Sequence, residues 1–80
     1  MSRAADVVGV IARALAARPD DVQVTEAERR GQRVIELSMA PGELGRVIGR
    51  QGRTATALRT LAAAAGELDD QRVAVEFVDE

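Results

Sequence analysis

Apolar and polar positions recur with two different periods along this chain. In residues 3–17 the apolar side chains recur every three to four positions, which predicts a helix with Val7, Val8, Ile11 and Leu15 on one face. Pro19 ends this run, because proline cannot continue a helical ladder of hydrogen bonds. Residues 22–26 alternate between apolar and polar, as half-buried strands do, and residues 33–39 predict a second strand with Ile35, Leu37 and Met39 on one face. The turn predicted at residues 29–32 joins them into a hairpin.

The second half of the chain returns to helical spacing. Residues 44–48 predict a short helix, with Leu44, Val47 and Ile48 on its apolar face. Residues 53–65 predict a longer helix, which Gly66 is expected to end. Its inward positions are predicted at Ala55, Leu58, Leu61 and Ala62. Residues 67–70 read as an acidic loop, and alternation in residues 72–78 predicts a third strand.

The resulting order is α-β-β-α-α-β, which predicts an α+β fold. The hairpin makes the first two strands antiparallel. The crossover through two helices makes the second and third strands parallel. We therefore expect a three-stranded mixed sheet with three helices on one face, in a single domain over residues 1–80.

Composition removes several classes of function. The chain has no cysteine and no histidine, so it lacks the ligands of common zinc sites and the usual nucleophile-base pairs of hydrolases. We expect neither an enzyme nor a metal or other cofactor. No apolar stretch approaches the roughly 20 residues of a membrane span, and none resembles a signal peptide, so we expect a cytoplasmic protein.

Charge is distributed unevenly along the chain. The net charge is −2, yet residues 44–66 contain no acid and four arginines, namely Arg46, Arg50, Arg53 and Arg59. The rest of the chain therefore carries −6. The one aromatic residue is Phe77, which argues against an RNA module that stacks bases on several sheet aromatics.

The arginine-rich segment surrounds the loop Gly49-Arg50-Gln51-Gly52, which lies between the two central helices. Glycine has no Cβ, so another backbone can approach it closely. The following helix directs its N-terminus and positive dipole end at the same place. A phosphate site is predicted here, although the bare glycine spacing also fits a tight helix-helix turn. The pattern is neither a dinucleotide fingerprint nor a P-loop.

Residues 47–52, Val-Ile-Gly-Arg-Gln-Gly, resemble the signature of KH domains. Residues 34–37 and 41–61 are similar to the bacterial KhpA family, which consists of small stand-alone type II KH-domain RNA-binding proteins. The resemblance implies a type II KH arrangement, an RNA chaperone of the cytoplasm and links to cell shape. It also implies a homodimer, or a heterodimer with a second KH protein of the KhpB type (also called Jag or EloR).

The resemblance also implies how single-stranded RNA would lie. The backbone of Gly49, Arg50, Gln51 and Gly52 would hold the phosphates. Arg50 and Arg53 would neutralise their charge, and Arg46 and Arg59 are weaker candidates for the same role. The groove floor would come from Val47, Ile48, Ile35 and Leu37, although a plain core role is the favoured alternative for Leu37 and Ile48. The acidic loop is expected to flank the groove and weaken binding. Aspartate at both glycines is expected to abolish binding and leave the fold intact.

Two other functions stay open. The helix pair around the loop could serve dimerisation, with RNA binding a minor activity. The same two helices could form a helix-turn-helix that binds duplex DNA, although the flanking strands and the two glycines in the turn argue against it.

Overall fold

Three strands form one mixed sheet, and three helices cover one of its faces, in a computed structural model that describes residues 1–79. The predicted α+β fold and its order are confirmed. The elements are α1 (Arg3–Leu15), β1 (Gln23–Arg29), β2 (Gln32–Ser38), α2 (Gly45–Ile48), α3 (Arg53–Leu68) and β3 (Val73–Phe77). Two single 3-10 turns, Pro19–Asp21 and Arg50–Gly52, lie in the connections. Within residues 1–79, no helix is both long and apolar enough to cross a bilayer.

The central strand is β2. It pairs antiparallel with β1 from Gln23↔Ser38 to Arg29↔Gln32, and parallel with β3 from Arg33↔Val73 to Leu37↔Phe77. The hairpin turns at Arg30 and Gly31, whose φ angles are 54° and 76°. Two positive φ angles define the type I′ turn, whose twist matches that of the flanking strands. Cross-strand pairing extends β1 three residues beyond the predicted end at residue 26.

The core lies between the sheet and the helices. Its largest fully buried side chains come from every layer, and they are Val8, Ile35, Leu37, Val47 and Leu58. Alanines occupy much of the helix surface that faces them, which lets the helices lie close to the sheet. No helix of residues 1–79 lies on the opposite face of the sheet. There Arg29 lies 3.3 Å from both Glu36 and Glu76, so its guanidinium spans the three strands.

The predicted end of α3 was wrong. Gly66 lies inside the helix, which continues to Leu68. A Cβ at Gly66 would collide with the side chain of Val73 and come within 2.9 Å of the Gln71 carbonyl oxygen. This glycine therefore permits close contact between α3 and the start of β3. The inward assignment of Leu61 was also wrong, since this side chain is 52% exposed.

The N-terminus of α1 is tied to β1. The Ser2 hydroxyl accepts a hydrogen bond from the Ala5 N–H at 3.2 Å and caps the helix. It also donates to the Glu26 carboxylate, and this hydrogen bond is the main reason that the pKa of Glu26 lies below its ordinary value.

α1 ends at Leu15, two residues before its predicted end, and Glu43 binds the chain that follows it. Its carboxylate is buried, with 8% of the residue exposed. Its Oε1 accepts hydrogen bonds from the N–H groups of Ala17 at 2.6 Å and Arg18 at 3.3 Å. These contacts satisfy two backbone N–H groups of the chain after α1. They join the end of α1 to the segment that leads into α2.

Glu43→Gln is expected to lower the free energy of unfolding by about 1–2 kcal/mol, because a neutral amide replaces a buried charged acceptor. Urea unfolding followed by circular dichroism measures the change. Glu67→Gln is the matched control: the same substitution at an exposed position should change the free energy of unfolding by less than about 0.5 kcal/mol. An equal loss of unfolding free energy in both variants would contradict a stabilising role for the buried Glu43 carboxylate.

Candidate nucleic-acid interface

The loop between α2 and α3 places several backbone groups at the surface. The N–H of Gly49 donates to the Gly45 carbonyl at 2.9 Å, and the N–H of Gly52 donates to the Gly49 carbonyl at 3.2 Å. The hydrogen bonds within residues 1–79 leave the N–H groups of Arg50 and Gln51 without an acceptor. Two donors in the loop are thus free for an anionic ligand.

Gly49 has a conformation that other residues rarely adopt. Its φ is 74° and its ψ is 175°, a region that is essentially limited to glycine. A Cβ there would lie 2.8 Å from Thr54 Cβ and would collide with the Thr54 hydroxyl. Gly49 therefore fixes how closely the start of α3 approaches the end of α2, and its role is first of all structural.

Gly52 differs from Gly49. It is also left-handed, with φ 72° and ψ 15°, but a Cβ built on it meets no atom within 4 Å. The space beside its backbone is open, as a docked phosphodiester would require. The expectation that aspartate at both glycines leaves the fold intact is corrected by this contrast: the change at Gly49 would disturb the fold, and only Gly52 is suitable for testing the surface.

Two arginines lie at the loop itself. Arg50 and Arg53 are both exposed, and Arg53 donates a hydrogen bond to the Gln51 side chain at 2.9 Å. No acid is present in the first turn of α3, and no side chain caps this helix. The helix dipole contributes roughly half a positive charge at the same point. The loop therefore combines free N–H groups, two guanidinium groups and a helix N-terminus.

Arg46 lies beside the loop, on α2. Its Nε is 3.5 Å from Glu43, so part of its charge is compensated. A cleft of about 350 Å³ lies next to it, and Arg18 also lines this cleft. Sequence reasoning missed Arg18 because it falls where α1 was expected to end, 28 residues before Arg46 in the chain.

Arg59 does not lie at the loop. Its guanidinium carbon is 4.8 Å from the centroid of the Phe77 ring, and its Nε is 3.5 Å from the Val75 carbonyl oxygen. The four arginines are thus divided into a pair at the loop, one beside Glu43 and one over β3.

The predicted aliphatic groove floor needs correction. Val47, Ile35 and Leu37 are completely buried, so these side chains belong to the core and present no surface to a base. Ile48 is 37% exposed and is the one member of the set that a ligand can reach. The core alternative was therefore right for Leu37 and wrong for Ile48.

The acidic residues 67–70 also lie elsewhere than expected. Glu67 and Leu68 belong to the last turn of α3, and Asp69 pairs with Arg3 at 3.5 Å. Fifteen helical steps of about 1.5 Å place this end about 22 Å from Arg53. That is about two Debye lengths at 0.1 M salt, so these acids repel a phosphate at the loop only weakly.

The α-β-β-α-α-β order, with a Gly-x-x-Gly loop between the two central helices, defines a KH-type domain. The family described as "KhpA/KhpB, KH domain" matches residues 5–77. The chain belongs to this family.

Comparison with individual proteins agrees with this assignment. The chain is 46% identical over 79 residues to "RNA-binding protein KhpA" from Aquifex aeolicus, covering 99% of this chain and 100% of the relative. It is 45% identical over 74 residues to the protein of the same name from Mycobacterium tuberculosis, covering 92% and 89%. Among solved structures, a crystal structure of Aquifex aeolicus Era matches with a TM-score of 0.61 and 22% identity. That match covers 96% of this chain and 31% of Era, and it shows the fold alone.

Gly49→Ala is expected to destabilise the protein far more than Gly52→Ala. Alanine at position 49 is strained and collides with Thr54, which should cost about 3 kcal/mol or more. At position 52 the cost should be the left-handed backbone alone, about 1 kcal/mol. Urea unfolding of the two variants measures the difference. Equal costs would show that the contact between Gly49 and Thr54 does not restrain the junction.

Proposed function

We propose that residues 1–80 form a single KH domain that binds single-stranded RNA in the cytoplasm. The phosphates lie against the backbone of residues 49–52, which form the GXXG loop. Arg50 and Arg53 neutralise them, and Arg46 contributes from the side. The relatives named RNA-binding protein KhpA support RNA as the ligand. This proposed binding involves no chemical step on the RNA.

The observation that carries this proposal is the open space at Gly52. A left-handed glycine with no atom near its absent Cβ lies beside two free backbone N–H groups and two exposed arginines. A sugar-phosphate backbone can therefore lie directly on the loop.

Backbone contacts hold a strand without reading its sequence, so we infer low sequence specificity, as an RNA chaperone requires. Neutralising two phosphates of a single strand gives a salt dependence with a slope of about −1.4 on logarithmic axes. The groups at this interface therefore support weak, salt-sensitive binding.

Gly52→Asp is expected to weaken RNA binding about tenfold or more, because a carboxylate would occupy the place of a phosphate. Fluorescence anisotropy of a labelled RNA of about eight nucleotides, twice the four that a KH groove contacts, measures the affinity.

Gly31→Asp is the matched control for this experiment. Gly31 has nearly the same φ, 76° against 72°, and equally open space around its absent Cβ. Gly31 lies at the tip of the hairpin, away from the loop. Gly31→Asp therefore introduces a similar backbone strain and the same added charge at a place where no RNA contact is proposed. Retained binding by Gly52→Asp, or equal loss in both variants, would contradict the loop site.

A homodimer, or a heterodimer with a second KH protein of the KhpB type, is a second proposal. It is supported by a stripe of exposed apolar side chains along α3, formed by Ala57, Leu61, Ala64 and Leu68. Leu61 and Leu68 are 52% and 70% exposed. If two copies pair through α3 in antiparallel orientation, Arg53 of one copy approaches the acidic end of α3 in the other. The arginines are then not brought together.

Leu61→Glu is expected to shift the protein toward a monomer in sedimentation equilibrium, because it places a charge in the centre of this stripe. Val10→Glu is the control, since Val10 is a 68% exposed apolar residue on α1. A wild-type monomer at all concentrations, or a dimer unaffected by Leu61→Glu, would contradict pairing through α3.

A further inference from the structure

The single aromatic residue of the chain lies under an arginine. Phe77 is the last residue of β3 and is half-buried against the core. The Arg59 guanidinium carbon lies 4.8 Å from the centroid of the ring. This distance is within the range of a cation-π contact, so the guanidinium and the ring form a stacked pair at the surface.

The strand edge holds the guanidinium in place. Arg59 Nε is 3.5 Å from the carbonyl oxygen of Val75, and β3 is an edge strand. Arg59 takes part in none of the ion pairs found within residues 1–79. Arg59 is exposed, with one face on Phe77 and its Nε on the strand. Its outer planar face is thus available to a ligand.

The stacked pair is close enough to the loop to contact the same ligand. Six helical steps separate Arg59 from Arg53, about 9 Å along α3 and about 120° around its axis, and a strand of several nucleotides can cover this separation. Phe77 lies at the C-terminal end of β3, whereas the contact of Gly66 with Val73 lies at its start. β3 therefore runs antiparallel to α3, toward the end of α3 that adjoins the loop. The Arg59–Phe77 pair lies between the Gly66–Val73 contact and the loop.

We propose that Arg59 and Phe77 form a stacking subsite for one nucleobase of the RNA strand that the loop holds. This inference rests on the proposed RNA-binding function. The base lies on the outer face of the guanidinium, and the Phe77 ring lies beneath it. Guanidinium planes and aromatic rings both stack on bases, and such stacking tolerates every base. The subsite adds affinity for bases without adding sequence specificity.

A phosphate contact by Arg59 is the competing explanation, and Arg59→Lys distinguishes the two. Lysine keeps the positive charge but has no planar group to stack. We compare binding of an RNA of about eight nucleotides with binding of an abasic phosphodiester of the same length. Arg59→Lys is expected to lose about tenfold affinity for the RNA, as stacking of one base implies, and none for the abasic strand. Arg72→Lys, at an exposed arginine near the other end of β3, should change neither.

Phe77→Trp supplies an independent readout. The chain contains no tryptophan and no tyrosine, so the introduced indole is the only strong fluorophore. RNA is expected to change its emission, because a base that stacks on the guanidinium alters the contact between Arg59 and the indole, and the abasic strand is expected to leave the emission unchanged.

These measurements separate a failure of RNA binding from a failure of the stacking subsite alone. If wild type shows no anisotropy change with RNA, the RNA-binding proposal fails and the subsite fails with it. If wild type binds RNA but Arg59→Lys loses no affinity, or loses equally for both ligands, only the stacking subsite is overturned. An indole that does not respond to bound RNA overturns it as well.

Discussion

The close contact between Gly49 and Thr54 determines the rest of the site. With φ 74° and ψ 175° at Gly49, the chain leaves α2 and enters α3 within a single 3-10 turn. Only a residue without Cβ allows the first turn of α3 to approach this closely. That approach brings the N-terminus of α3, the free N–H groups and two guanidinium groups to one point.

The length of α3 explains how a chain of net negative charge can present a basic site for RNA. A net charge of −2 argues against binding RNA, as long as the charge is treated as uniform. Sixteen helical residues instead separate the basic loop from the acidic turn. Because salt screens charges over about 10 Å, a phosphate at the loop responds to the local arginines and hardly to the distant acids.

Much of the fold followed from the sequence, since periodicity reports which side chains face the core. The element order, the hairpin, the parallel crossover and the inward positions Val8 and Leu58 were predicted in this way. Periodicity could not reveal that Gly66 packs on Val73 instead of ending α3. Nor could it show that Glu43 binds the chain after α1, or that Leu61 is exposed. Each of these depends on a neighbour that is distant in sequence, and a local pattern contains no information about it.

The site was predictable in kind but not in arrangement. The loop glycines and the arginines were recognised from the sequence, but their different roles depend on three-dimensional contacts. Successive residues of α3 are rotated by 100° about the helix axis, so Leu58 and Ala62 face inward. The stripe then lies on one flank of the helix, and Arg59 lies on roughly the opposite flank. The stripe consists of Ala57, Leu61, Ala64 and Leu68. Association through the stripe would therefore leave the Arg59 flank free. A partner on the stripe and a nucleobase on the Arg59 flank thus do not exclude each other on geometric grounds.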